Sequence, residues 1–280
     1  MKRLTIAVLC VTTVVLARAA DAAPLFFNGF ETDIAGWDLF GGGLDATRVA
    51  SGTNGITSAS GSFHAENSAG GSAGNWGGYD FTPGQATSGP GVPFKEYITS
   101  VDIYLDVDGG WANNTRFDFS SAINRPDTGL HRRDFIFNGG FFDDGTGPGA
   151  NTDRFVISAS NNSQPGSAFA KNPDKDPIAI STTGWYTFQH HFYDNGAGIL
   201  AVDMSILDAS SSLVNIWTLS DPTDELDVEV GGNRYGWFDF NEFTVLAFDN
   251  TSLSVVPEPA SAALVGLGGL AAATILRRRR

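Results

Sequence analysis

The chain has 280 residues, 42% of them hydrophobic, with 21 Phe and 34 Gly; this suffices for a sizeable core, and Gly spread between apolar segments points to many tight turns. Its formal charge is −14, but setting aside seven basic residues near the ends (Lys2, Arg3, Arg18 and Arg277 to Arg280) and Asp21 leaves 10 basic against 30 acidic residues, a net of −20. So acidic a surface argues against nucleic acid as a partner, and the single cysteine, Cys10, sits in the N-terminal apolar run, which excludes disulfides, thiolate metal sites and cysteine nucleophiles from the rest of the chain.

In chain order, the first element is MKRLTIAVLCVTTVVLARAADAAP. Lys2 and Arg3 give a charged start, and Leu4 to Leu16 an apolar stretch too short to span a membrane comfortably. Ala20 and Ala22 supply the small side chains that a signal peptidase requires. This predicts a signal peptide over 1–22, with cleavage after Ala22 and the bond after Ala19 as the competing site. An uncleaved anchor is the alternative reading.

The region 23–253 shows little helical periodicity. Val101, Ile103, Leu105 and Val107 alternate with Asp102, Tyr104, Asp106 and Asp108. Tyr186, Phe188, His190 and Phe192 form a second such face, and Leu200, Val202, Met204 and Ile206 a third. A period of two with one polar face predicts half-buried antiparallel strands. Further strands are predicted at 62–66, 133–138, 152–159, 213–219 and 243–249. Asp108-Gly109-Gly110, Asp143-Asp144-Gly145, Asp194-Asn195-Gly196 and Gly231-Gly232-Asn233 mark turns. The Gly-, Ser- and Asn-rich stretch 51–78 reads as surface loops around the strand at 62–66. About a dozen strands at this spacing predict one all-β domain, a two-sheet antiparallel sandwich of jelly-roll type.

Phe27-Asn28-Gly29-Phe30-Glu31 with Gly36-Trp37 resembles the opening strand of jelly-roll carbohydrate-binding modules and lectin-like domains, and Phe248 to Leu253 their closing strand. The resemblance implies that first and last strands pair, and that a structural calcium lies near them with Glu31 and Asp249 as ligands; hard oxygen donors suit that ion. Ordinary exposed strand residues are the alternative.

Glu225-Leu226-Asp227-Val228-Glu229 resembles the Glu-x-Asp-x-Glu signature of laminarinase-like retaining glycoside hydrolases. That resemblance implies Glu225 as nucleophile, Asp227 as charge tuner and Glu229 as acid/base, all on one face of a strand. Retention needs carboxyl groups about 5 to 5.5 Å apart, whereas Cα atoms four strand residues apart lie roughly 13 Å apart. The motif also lies close to the end of the domain and lacks a preceding Trp-Pro-Ala segment. The prevailing expectation is a domain that is not an enzyme.

His64, His131, His190 and His191 show no metal-binding spacing; His190 and His191 face opposite sides of a strand and read as satisfied structural residues. Six Trp are present, and Trp76 with Tyr79, and Trp111, occupy loop-like settings suited to stacking on sugar rings. A packing role is the alternative for each.

The last segment, 254–280, reads SVVPEPASAALVGLGGLAAATILRRRR. Ala260 to Leu276 would form a helix about 26 Å long, enough for a single short membrane span. Arg277, Arg278, Arg279 and Arg280 would keep its end in the cytoplasm. Pro257-Glu258-Pro259, the apolar run and the arginines together resemble the PEP-CTERM sorting signal. The resemblance implies processing by an exosortase, transient anchoring in the inner membrane, delivery to the cell surface or extracellular matrix, and association with exopolysaccharide. A purely structural matrix protein and a plain membrane anchor are the alternatives.

Overall fold

The computed structural model describes residues 24–37, 46–68, 93–161, 170–231 and 236–256, all within a compact unit spanning Ala23–Val256. In chain order the strands are β1 (Phe26–Asn28), β2 (Thr47–Ala50), β3 (Phe63–Asn67), β4 (Tyr97–Leu105), β5 (Thr115–Asn124), β6 (His131–Phe142), β7 (Arg154–Asn161), β8 (Ile178–Ile180), β9 (Gly184–Asp194), β10 (Ile199–Asp208), β11 (Leu213–Glu225), β12 (Gly236–Asn241) and β13 (Leu246–Val255). Two single-turn 3-10 segments, Thr53–Gly55 and Pro173–Lys175, are the only helical elements among the described residues.

The strands form two antiparallel sheets. The larger runs β11-β10-β9-β4-β13-β3-β2, with β1 also paired to β13; the smaller runs β12-β5-β6-β7-β8. The first and last strands pair, Phe27 opposite Ser252. β13 is bonded to β4 on one flank and to β3 and then β1 on the other. The chain switches sheets after β4, after β8 and on each side of β12, as a jelly-roll sandwich requires.

Alternation decides which side chains meet. In β4 the odd-numbered residues from Tyr97 to Leu105 are buried, and in β9 Tyr186, Phe188, His190 and Phe192 are buried. These face Phe117, Phe119, Phe135 and Phe137 of the smaller sheet. Ring contacts between the sheets include Phe137–Phe188 at 5.1 Å and Phe135–Phe192 at 5.5 Å, both edge-to-face. Such pairs contribute about 0.5–1.5 kcal/mol each beyond their burial. Thirteen buried Phe belong to this core, because Phe offers a large apolar area with no donor to satisfy.

His190 lies inside this aromatic layer, fully buried and 4.8 Å from the Phe137 ring. Its Nε2–H donates to the Phe135 carbonyl at 3.0 Å, while Nδ1 has no partner. The expectation of a fully satisfied histidine therefore holds for one nitrogen only. Burial lowers its pKa to about 3, so it is neutral. His191 points outward to Glu96 at 2.7 Å.

The alternation signal passes over β5, where Ser120 and Ser121 interrupt it. On its outward side Asp118 accepts from Asn138 Nδ2 at 3.0 Å, and Asn138 Oδ1 accepts from Ser160 at 2.7 Å. Burial lifts the Asp118 carboxyl to about 6 despite the Asn138 bond and the Arg116 charge. The β6–β7 loop is organised by Arg154, a fully buried guanidinium that donates to the carbonyls of Phe142, Asp144, Thr146, Pro148 and Thr152 and to the Asp144 carboxylate.

Candidate functional site

At the end of β4 the chain turns through Asp106 to Gly109, closed by a bond from the Gly109 amide to the Asp106 carbonyl at 3.3 Å. The same carbonyl accepts from Trp111 Nε1 at 2.8 Å. This folds the indole back over the turn. A Cβ on Gly109 would lie 2.4 Å from Trp111 Nε1, so only glycine admits the ring there. The ring edge packs against Phe243 at 5.0 Å.

Beside Trp111 opens a pocket of about 160 Å³, lined by Asn54, Tyr104, Asp106, Phe155 and Phe243 and floored by the first residues of β13. Tyr104 reaches it from the outward face of β4. Its ring meets Trp185 edge-on at 5.3 Å, and Trp185 meets His64 at 6.0 Å. Rings therefore continue from the pocket onto the outward face of the larger sheet. Burial raises the Tyr104 hydroxyl pKa, and the charges of Asp106 and Asp108 add to it. Burial also raises the Asp106 carboxyl, opposed by the Asp108 amide and reinforced by the Asp108 charge. Among the described residues no side chain donates to the Asp106 carboxylate and no Lys or Arg pairs with it. Asn54, in the left-handed region at φ 51°, gives its amide to Glu66.

Beyond Trp185 the outward face carries polar clusters around Asp102 and Asp203. Thr187 and Asn250 both donate to Asp102, Ser100 meets Ser252 at 2.8 Å, and Tyr193 and Thr218 both donate to Asp203. Hydroxyls, amides and carboxylates of this kind, next to half-buried rings, are suited to a polyhydroxylated ligand.

The Glu225-Asp227-Glu229 group is not on one strand face. β11 ends at Glu225, and Leu226–Val230 forms a turn in which Asp227 has φ 61°. Asp227 accepts from the Phe94 amide at 2.7 Å. Glu229 pairs with Arg125 at 2.6 Å and Arg132 at 3.0 Å. Arg132 and Arg133 also hold Asp224, which is 1% exposed, and Arg133 reaches Asp221. The motif thus closes an ionic corner that ties the end of β11 to β6. The partner arginines lie about a hundred positions upstream, so spacing could not reveal them.

Glu31 and Asp249 approach one loop from two sides. Glu31 accepts from the Ser62 and Phe63 amides, and Asp249 from the Ser60 and Asn250 amides. Gly61 lies so close that a Cβ would be 2.2 Å from Glu31 Oε1. Burial lifts Asp249 to about 6, with the two amides opposing and Asp102 adding. Backbone amides donate to both carboxylates. Together they form an amide clamp on the 60–63 loop, and among the described residues no group of three His, Cys, Asp or Glu lies close together. His64 belongs to the same corner, bonded to Ser58 and Glu66; His131 pairs with Asp134.

Of the predicted stacking aromatics, Trp111 lies in the pocket. Trp76 and Tyr79 lie outside the described residues, as do Ala20, Ala22, Pro257, Glu258, Pro259 and Arg277 to Arg280. Tyr104, Asp106 and Trp185 were legible only as outward strand or turn positions. The pocket needs Phe155 and Phe243, which are remote in sequence.

Residues 255–280 match the PEP-CTERM protein-sorting motif. No curated protein matches the chain. Among solved structures, a conserved carbohydrate esterase from the Shiga toxin-encoding bacteriophage phi24B is 11% identical, with 84% of this chain and 100% of that one covered and a TM-score of 0.47. The CBM2 module of the evolved Dit of Lactobacillus casei BL23 phage J-1 is 10% identical over 85% and 98%, TM-score 0.41. The winged bean acidic lectin, complexed with methyl-alpha-D-galactose, is 13% identical over 80% and 92%, TM-score 0.37.

Proposed function

We propose that the protein is exported, processed by an exosortase at its C-terminal sorting motif, and delivered to the cell surface or matrix, where its sandwich binds polysaccharide without catalysis. The observation that carries the reading is one chain that joins a sorting motif to a ring-lined pocket. The motif supports the address. Trp111, held over a tight turn beside Tyr104, supports the ligand class. The signal peptide over 1–22 and the short helix over 260–276 complete the proposed route. Against hydrolysis by Glu225 and Glu229 stands the use of Glu229 in two ion pairs at a turn.

Two measurements test the proposal. Mass spectrometry of the mature protein from its host should find both 1–22 and the segment after Pro259 missing; retention of Arg277 to Arg280 would overturn the sorting reading. Pull-down on a panel of insoluble polysaccharides should retain the protein, with at least tenfold weaker retention for Trp111→Ala. Retention by none of them would favour the purely structural alternative.

A further inference from the structure

We propose that the Trp111 pocket takes an amino-sugar unit bearing a free, protonated amine, so that the preferred glycan is cationic. This rests on the polysaccharide-binding reading above and adds a substrate class to it. Asp106 lines the pocket, and its carboxylate, partly withdrawn from water, accepts from the Asp108 amide but has no cation and no side-chain donor among the described residues. A carboxylate in that state gains more from an ammonium than from a hydroxyl, because a charge-assisted bond is about twice as strong as a neutral one. The Tyr104 and Trp111 rings flank the same space, and their faces attract a cation as well as stack on a sugar.

The neighbouring charges have the same sign. Asp108 follows Asp106 and accepts from Thr183 at 2.8 Å, and Glu66 lies behind Asn54. Among the described residues, the pocket lining contains no Lys or Arg to neutralise a uronate. The excess of acidic residues over the whole chain adds a long-range repulsion for polyanions and an attraction for polycations. Burial holds the Asp106 pKa up, and a bound ammonium would draw it down.

Calorimetric titration of the mature protein at about pH 6, where an amine is protonated, distinguishes the possibilities. The probes are a β-1,4-linked glucosamine tetramer, its fully N-acetylated counterpart and an alginate tetramer. The expected result is at least tenfold tighter binding of the free-amine tetramer than of the acetylated one, with no alginate binding. Asp106→Asn should abolish that preference, bringing the free-amine tetramer to no better than the acetylated one, with the melting temperature as the check on folding. Trp111→Ala should weaken both. Equal binding of the two tetramers, or a preference for alginate, overturns the amine proposal and leaves the glycan reading standing. Binding of none of the probes also overturns it; the polysaccharide pull-down then decides the wider reading separately.

Discussion

His190 and Asp118 are both pushed toward their neutral forms by burial, and their contributions to stability run in opposite directions with pH. For His190 the folded pKa of about 3 lies below the ordinary value of 6.5. Its contribution is intact above pH 6.5 and is lost as pH falls toward 3, at up to about 1.4 kcal/mol per pH unit. His190→Phe should flatten the acid limb of a melting-temperature profile across that window. For Asp118 the folded pKa of about 6 lies above the ordinary 3.8. Its contribution is present below pH 3.8 and is lost as pH rises through 6. Asp118→Asn should therefore raise stability at pH 7, by about 1–3 kcal/mol, and change little at pH 4; no gain at pH 7 in chemical denaturation would contradict the buried carboxyl.

At the scale of elements, Arg154 acts on a whole loop. Its guanidinium supplies donors to carbonyls spread from Phe142 to Thr152. Lys171 and Arg154, with the Thr146 amide, hold the Asp144 carboxyl far below its usual range. Arg154→Met takes the donors from one buried and several part-buried carbonyls at once, and the expected cost is about 3 kcal/mol or more. Hydrogen exchange should accelerate throughout 143–153 and remain near wild type in β4 and β9. The clamp of Glu31 and Asp249 makes a comparable prediction. Glu31→Ala should free the 60–63 loop and lower the melting temperature, whereas a calcium chelator added to the wild type should not.

These elements also mark what could be read in advance. The inward faces of β4, β9 and β10 follow directly from alternation, because a half-buried strand writes its two environments into odd and even positions. The β1–β13 pairing followed from the resemblance of the two end segments. Three acids at even spacing in 225–229 suit a strand, while the positive φ at Asp227 and the arginine partners are set by tertiary contacts that the spacing does not carry. The pocket was legible only through Trp111, its Asp-Gly-Gly turn and the outward Tyr104, since its other walls come from the 54–56 loop, from β7 and from the residues around the start of β13.

For the molecule as a whole, the excess of 20 acidic charges in the middle of the chain should oppose compactness at low ionic strength. Raising the salt from about 0.01 M to 0.15 M shortens the screening length from about 30 Å to 8 Å. The melting temperature should rise over that range, and a fall would show that surface ion pairs dominate instead.

The position of β13 has a mechanical consequence. Its first residues floor the pocket, and its last residue is followed directly by the sorting segment. If the bound glycan pulls at one end and the processed terminus is fixed at the other, the load runs lengthwise along this one strand. β13 is bonded on both flanks, to β4 on one side and to β3 and β1 on the other. Tension along its axis therefore loads these bonds in shear, many at once, rather than peeling them apart singly as it would at a sheet edge.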